Sequence, residues 1–482
     1  MKIAGLDIGT TGCKFTVFDE NGMQLGRAYR DYPSRRMGET VVDAGAISDA
    51  VFGVIGEIAK EHPDIGGIGV TSFGETFVLT DGDGKPLFES MLYTDPRGAE
   101  ECDELCRIFG KKRITEITGL SPHSMYSLPK LMWIKKHRPD VMSAAKHCLL
   151  MEDYAVCLLT GRAVTEYSLA SRTMAFDIRK CRFDKELLEA AGIDPKIMPE
   201  PIPTGTPAGK IRPGITKLSP DTVIVPAGHD QIAAAIGAGA FDGSVAVDGA
   251  GTVQCLTPIF DSLPDIGLMS KGYFAVVPHV VPGKYVAYAF SYTGGELVRW
   301  CAETLGQGHT IESLDTAFSG TGPTGLLVLP HFAGAATPYM DTGSKGAIVG
   351  LTASTTLPDI FRACREGVVY EMKLNIEALK GTGIAFEKLR ATGGGARSRV
   401  WMQMKADALG FPVTALDVPD AGTVGSAMMT GVASGVFSNL TEAAEVMVHE
   451  AGTYLPRPEM TEKYNEVYER YKRLYNAVRP LI

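Results

Sequence analysis

The chain has 482 residues, with 47 Lys+Arg against 56 Asp+Glu and a formal net charge of −9. That balance excludes broad electrostatic binding to nucleic acid or an anionic membrane, because both need a basic face. Hydrophobic residues at 45% and charged residues at 21% exclude an intrinsically disordered chain, and the length calls for more than one domain. Glycine stands out at 55 residues, well above the usual share of about 7%. With no collagen-like period, these glycines are expected at specific turns.

Residues 2–7 are apolar and read as a strand, Ile8-Gly9-Thr10-Thr11-Gly12 as a tight turn, and residues 13–18 as a second strand. Asp19-Glu20-Asn21-Gly22 follows as a hairpin turn of the Asn-Gly type. The chain therefore opens on a hairpin and a further strand, not on a strand that runs straight into a helix. Apolar residues at helical spacing (Ile47, Val51, Val54, Ile55, Ile58) predict a helix over 46–60, and 65–71 predicts an apolar strand. Such alternation favours an α/β fold. Pro226-Ala227-Gly228-His229-Asp230-Gln231 precedes a small-residue helix over 232–240. Residues 244–260 echo the opening plan, with an apolar strand, Asp248, a Gly251-Thr252 turn and a second apolar strand. Two related domains joined near 239–243 explain the echo; chance likeness of two Gly-rich hairpins is the other reading. Thr392-Gly393-Gly394-Gly395-Ala396-Arg397-Ser398 leads into a helical pattern over 400–409. The last element, 461–478, lines up Tyr464, Val467, Tyr468, Tyr471, Leu474, Tyr475 and Val478 on one helical face, which reads as a docking stripe and not a ligand box.

The nine cysteines are scattered without Cys-x-x-Cys spacing, so reduced, mostly buried thiols are expected. Asp7 falls where a signal peptide needs its apolar run, and the uncharged stretch 317–340 is broken by Pro323, Pro330 and Pro338. Neither export nor a membrane span is predicted, and a reducing cytoplasm is the expected compartment.

Three Gly-rich turns can carry chemistry. In the first, glycines let backbone N–H groups converge on an anion, Thr10 and Thr11 add hydroxyls, and Lys14 adds a charge. Asp7 at the strand end can hold a hydrated Mg²⁺. The spacing matches neither the Walker A loop nor the Gly-x-Gly-x-x-Gly fingerprint. The second turn, 248–252, repeats the plan; the third, 393–395, is either an anion-friendly helix start or a flexible loop. Asp230 is either an N-cap or a general base, with Gln231 beside it to orient a hydroxyl. His229 reads as structural.

In this order the segments resemble the FGGY carbohydrate kinase family over essentially the whole chain. Asp7-x-Gly9-Thr10-Thr11 resembles the family's first phosphate motif, 248–252 the second, and Gly393-Gly394-Gly395-Ala396 the adenosine motif. Met125-Tyr126-Ser127-Leu128-Pro129-Lys130-Leu131-Met132-Trp133 fits the first signature. Gly346-Ala347-Ile348-Val349-Gly350-Leu351, with Asp359-Ile360 after it, fits much of the second, from which Cys364-Arg365 depart. The resemblance implies two actin-like ATPase (ribonuclease H-like) domains flanking a deep cleft. Residues 1–243 would carry the sugar site and first phosphate motif, and 244–482 the nucleotide, ending in an amphipathic helix. It implies ATP and Mg²⁺, the metal near Asp7 and Asp230, with Asp230 as catalytic base. Thr10, Glu75, Tyr126, Asp230 and Gln231 would form the substrate site. Thr10, Thr11, Gly12 and Lys14 would meet the phosphates together with Gly251 and Thr252, while Gly295, Arg299, Gly394, Gly395 and Arg399 bound the nucleotide.

For the acceptor, Thr71-Ser72-Phe73-Gly74-Glu75-Thr76-Phe77 occupies the place where xylulokinases usually show Gln-Met-His-Gly and glycerol kinases Gln-Arg-Glu-Thr. Glu75-Thr76 matches the glycerol-type half, Gly74 replaces its Arg, and 165–174 also leans toward glycerol kinase. A carboxylate can accept from two adjacent hydroxyls, which favours a neutral ketose or polyol over an acid sugar. The missing Arg weakens the case for an anionic acceptor further. The expected reaction is ATP-dependent phosphorylation of a short sugar, a pentulose such as xylulose. Glycerol or another polyol or signalling sugar is the alternative acceptor, and an actin- or chaperone-like ATPase without a sugar acceptor is the alternative from another class. The expected partner is a small-molecule sugar or polyol, with no nucleic acid and no membrane, and a homodimer is left open.

Overall fold

The computed structural model describes residues 1–32, 40–306, 308–318, 320–384, 386–418 and 420–482. They form two compact units. The first comprises Met1–Phe241, Val276–Val286 and Val418–Val448, and the second Asp242–Ala275, Ala287–Asp417 and His449–Ile482. The long first segment ends inside the Gly-rich join at 239–243, and two later segments belong with it.

In the first unit, Lys2–Ile8 and Gly12–Phe18 pair antiparallel with Asp7 opposite Lys14 and Ile8 opposite Cys13. Gln24–Asp31 extends the sheet beyond a turn in which Gly22 adopts φ 77°. On the other side of Lys2–Ile8 lie Ile65–Ser72 and then Val223–His229, both parallel. These central strands are buried almost throughout, which is why they read as continuous apolar runs. The helix Ala44–Ile58 buries Ile47, Val51, Val54, Ile55 and Ile58, the expected stripe. It starts earlier than the spacing predicts because the Asp43 side chain accepts from the Gly45 N–H and caps it.

Glycine lets the helix Ala421–Ala433 approach the sheet and the helix Asp230–Gly237 at backbone distance. A Cβ on Gly5 would fall 2.0 Å from the Thr423 carbonyl oxygen, and one on Gly425 only 1.8 Å from that of Ala233. Part of the glycine excess therefore serves packing and not ligand turns.

The sheet of the second unit includes, in spatial order, Gln254–Phe260, Val245–Ala250, Lys388–Thr392, Val413–Leu416 and Glu450–Tyr454. Val245–Ala250 is antiparallel to Gln254–Phe260 and parallel to Lys388–Thr392, which is parallel to Val413–Leu416. A hairpin strand with its partner on one side and two parallel strands on the other is also the plan of the first unit. The echo at 244–260 is thus a repeat of topology. Pro458–Tyr471 sets Tyr464, Tyr468 and Tyr471 around Tyr370, with ring centroids 6.3, 6.0 and 5.3 Å away, so the aromatic stripe is a docking face. The single helix predicted over 461–478 is in fact two, Pro458–Tyr471 and Leu474–Val478. All nine cysteines are free, and among the described residues no helix is long and apolar enough to cross a membrane.

Candidate active site

Asp7, Asp230 and Asp420 interact at the strand and helix ends of the first unit. Lys14 sets its Nζ 3.4 Å from Asp7 Oδ2 and 2.9 Å from Asp420 Oδ2. Asp420, which sequence reasoning missed, caps Ala421–Ala433 by accepting from the Thr423 N–H. Its signal was an Asp before a small-residue helix, the same local pattern that marks Asp230. Burial and then the Asp420 charge push the Asp7 carboxyl up to about 6, against the pull of Lys14. Burial disfavours the Lys14 ammonium, yet the two carboxylates outweigh it and hold its pKa above the ordinary lysine value.

Asp230 is the first residue of its helix and His229 is the N-cap, so the capping alternative does not describe it. Burial, then the charge of Asp7 and that of Glu75, lift the Asp230 carboxyl to about 7 against hydrogen bonds from Gln231. The Asp230 side chain is still 31% exposed, and Gln231 is half-buried. The segment that aims Asp230 is held from behind. Gly228 adopts φ 97°, and Glu152 Oε1 accepts from the N–H groups of Ala227 and Gly228 at 2.8 Å each. Thr71 Oγ1 donates to the Gly228 carbonyl at 2.5 Å, and the His229 N–H donates to Ser168 Oγ at 3.0 Å. Burial and the Arg172 charge keep the His229 imidazole neutral, well below its usual range, as a structural residue.

The turn after Asp7 is closed by the Gly9 N–H donating to the Gly12 carbonyl at 3.0 Å. Thr10 is half-buried and Thr11 exposed. Gly12 is demanded by the sheet itself, since a Cβ there would lie 2.5 Å from the Arg30 carbonyl oxygen.

Glu75 and Tyr126 are brought together by Arg172. Glu75 adopts φ 64°, unusual for a residue with a side chain, and Ser127 Oγ donates to its carbonyl at 2.6 Å. Glu75 Oε1 accepts from Arg172 Nε at 2.6 Å and also from Nη2. The guanidinium lies 5.2 Å from the centroid of the Tyr126 ring. A Cβ on Gly74 would sit 2.9 Å from His229 Cδ2 and 3.1 Å from Arg172 Cγ. Gly74 stands where the glycerol-type motif has its Arg, and the space beside it is taken by Arg172, which comes from another part of the chain, and by His229. The signal lay in 165–174, where Ser171-Arg172-Thr173 carries the residue in question.

In the second unit the turns expected at the nucleotide converge. The Gly295 N–H donates to the Gly251 carbonyl and the Gly294 N–H to the Thr252 carbonyl, both at 2.9 Å. A Cβ on Gly393 would lie 2.8 Å from the Ala250 carbonyl oxygen, whereas Gly394 faces open space. Gly394–Arg397 forms a 3₁₀ turn, and Ser398 caps the helix Arg399–Leu409, so the glycines precede that helix instead of opening it. Arg299 and Arg399 are both exposed. Asp248, the echo of Asp7, is wholly buried and ion-paired to an equally buried Lys405, with the Gln254 amide on its other oxygen.

The N-terminal domain of the FGGY family of carbohydrate kinases matches residues 2–237, and the C-terminal domain of that family matches residues 261–434. The chain is 27% identical over 489 residues to the xylulose kinase of Lactococcus lactis subsp. lactis (strain IL1403), covering 98% of this chain and 96% of that one. It is 31% identical over 464 residues to the glycerol kinase of Halorhodospira halophila (strain DSM 244 / SL1), covering 92% and 90%. The crystal structure of xylulose kinase from Rhodospirillum rubrum is similar at a TM-score of 0.90 and 26% identity, covering 100% and 99%. With both domain types matched in order, the chain belongs to the FGGY family of carbohydrate kinases, two-domain phosphotransferases of actin-like ATPase fold that use an alcohol group as acceptor.

Proposed function

We propose that the protein phosphorylates a pentulose such as xylulose at the expense of ATP, with the acceptor site in residues 1–243 and most nucleotide contacts in 244–482. The observation that carries this reading is Asp230, a partly exposed carboxyl at the head of its helix, in a segment locked from behind by the bonds to Gly228 and His229. A carboxylate placed within reach of an acceptor hydroxyl can take its proton. In the step, the acceptor hydroxyl oxygen bonds to the γ-phosphorus as the bond from that phosphorus to the β,γ-bridging oxygen breaks. ADP leaves with the bridging oxygen, and the hydroxyl proton passes to Asp230. Phosphoryl transfer asks a protein chiefly for alignment and charge stabilisation. Thr10, Glu75, Tyr126 and Gln231 would align the acceptor. Thr10, Thr11, Gly12 and Lys14 would meet the phosphates, and Gly251, Thr252, Gly295, Arg299, Gly394, Gly395 and Arg399 would serve the nucleotide.

The carboxylates suit Mg²⁺. Asp7 and Asp230 are each raised in part by a neighbouring carboxylate, an excess of negative charge that a cation relieves. Among the described residues no three His, Cys, Asp or Glu side chains are grouped to hold a metal by themselves. The fitting form is a hydrated ion on one or two carboxylates, Asp7 and Asp230. When bound, it would neutralise charge on the transferring phosphoryl group. The free thiols fit a reducing cytoplasm.

A glycerol or polyol kinase is the second reading, favoured by Glu75-Thr76 and by the presence of Arg172 against Glu75. The test combines Asp230→Asn with a panel of xylulose, ribulose, xylitol and glycerol, followed by coupled ADP release. Xylulose is expected to give the highest kcat/KM, and the variant to lose roughly 10²–10⁴-fold in kcat with ATP affinity retained. Near-normal turnover in the variant removes Asp230 as the base. No stimulation by any acceptor would favour an ATPase without one.

A further inference from the structure

We infer that Glu75 and Arg172 form a charge-matched pair that restricts the acceptor site to uncharged sugars, with Arg172 a carboxylate-binding residue held silent by Glu75. The inference rests on the acceptor role of Glu75 proposed above and adds the rule by which that site excludes acid sugars.

The pair is built with care. The Arg172 and Glu75 side chains are only 7% and 6% exposed, a depth at which either charge is costly without the other. Both guanidinium bonds fall on one carboxylate oxygen, Oε1, so Oε2 keeps its acceptor capacity. Glu75 reaches Arg172 from a left-handed backbone conformation, φ 64°. Such a conformation persists only where its surroundings impose it, and here the Ser127 hydroxyl holds the Glu75 carbonyl while Gly74 leaves room for Arg172 and His229. The Tyr126 ring underlies the guanidinium and attracts its charge.

The groups facing this pair make it selective. The charge of Glu75 acts on Asp230, and that of Arg172 acts on His229. An aldonate would add a further carboxylate beside Glu75 and Asp230, with Arg172 already neutralised, and like charges brought together in a buried site are strongly disfavoured. Removing the Glu75 charge reverses the situation. Arg172 then loses the carboxylate of Glu75, and its planar fork is shaped for a carboxylate.

The test compares xylulose with xylonate, which has the same chain length and bears a carboxylate, on wild type, Glu75→Gln and the double variant Glu75→Gln/Arg172→Gln. Glu75→Gln keeps the side-chain shape and an oxygen for the Arg172 N–H groups. In that variant the ratio of kcat/KM for xylonate to that for xylulose is expected to rise about tenfold or more. The change should fall in the acceptor KM with the ATP KM unmoved, and it should vanish in the double variant. An unchanged ratio in Glu75→Gln overturns the inference, and so does an equal rise in the double variant. Calorimetric titration with xylonate gives the same comparison where turnover is weak: tighter binding by Glu75→Gln than by wild type supports the pair, and equal binding refutes it. Failure of the acceptor assignment itself shows separately, as a wild-type protein that neither binds nor phosphorylates xylulose.

Discussion

Gly425→Ala tests whether the backbone contact between two helices positions the proposed base. Gly425 lies on Ala421–Ala433 facing Asp230–Gly237, and an added Cβ would sit 1.8 Å from the Ala233 carbonyl oxygen and 2.7 Å from the Gly237 nitrogen. An ordinary carbon–oxygen contact is roughly 3.3 Å, so the helices would have to part by roughly 1.5 Å, and no flexible side chain is there to yield. Two effects oppose each other. Alanine favours an isolated helix by about 1 kcal/mol over glycine, whereas overpacking a tight interior costs about 1–3 kcal/mol or more. The cost should win, because Ala421–Ala433 is also seated at backbone distance on Gly5 and cannot move without losing that contact. A net loss of about 2 kcal/mol is expected by urea unfolding. Asp230 begins one helix and Asp420 caps the other, so the displacement should also reach the site, where a shift of about 1 Å can cost on the order of 10²-fold in rate. Steady-state kinetics with the acceptor identified by the panel would read that loss mainly in kcat. A Gly425→Ala protein as stable as the parent, or more stable, would show that helix propensity decides and that the close approach carries no energetic weight.

Asp7→Asn and Asp248→Asn should separate the two copies of the hairpin. Asp248→Asn leaves the Lys405 ammonium buried without its carboxylate and should cost about 3–5 kcal/mol in urea unfolding. Asp7→Asn relieves repulsion with Asp420 and should preserve stability while lowering turnover; a large stability loss from Asp7→Asn would contradict this division. Glu366→Gln probes pH. Burial raises the Glu366 carboxyl from 4.5 to about 7 in spite of hydrogen bonds from Thr324, so the folded state binds this proton more tightly than the unfolded chain does. Wild-type stability should therefore fall as pH rises from about 4.5 to 7, by roughly 3 kcal/mol in the limit of full burial. The amide, which can still accept from Thr324, should flatten that fall and make the variant the more stable protein at pH 8; parallel wild-type and variant curves would refute it.

What is legible in the sequence is local. Alternating apolar residues around a Gly-Thr turn reveal the hairpin at residues 2–18 and its echo at 244–260, because period and turn chemistry are both contained in a short window. The stripe of Ala44–Ile58 is legible for the same reason. Arg172 is not, because it meets Glu75 across 97 residues, and Asp420 meets Lys14 only because Ala421–Ala433 packs back onto the first unit. Both belong to patterns visible in the chain, but which distant residue faces them is decided by tertiary packing. Glycine was the most ambiguous letter. Composition counts Gly5, Gly12 and Gly425 alongside Gly394, yet the first three are dictated by a neighbouring backbone and Gly394 faces open space.

The two hairpins show why a repeated motif does not carry its function with it. Asp7 and Asp248 occupy related places on related strands, and each has a lysine. Lys14 is one-third exposed and shared between two carboxylates, whereas Lys405 and Asp248 are both fully buried. A sealed pair cannot exchange its partner for a ligand without exposing a desolvated charge, while Lys14 and Asp7 can change partners at modest cost. The second unit therefore has little use for its carboxylate as a ligand. Asp248 instead ties Arg399–Leu409 to the hairpin through Lys405, and this holds Gly393 against Ala250 and helps set the backbone of 393–395 beside that of Gly251. Charge is left open in the first unit, where the acceptor proton is proposed to go. In the second unit the corresponding charge is buried in the Asp248–Lys405 pair.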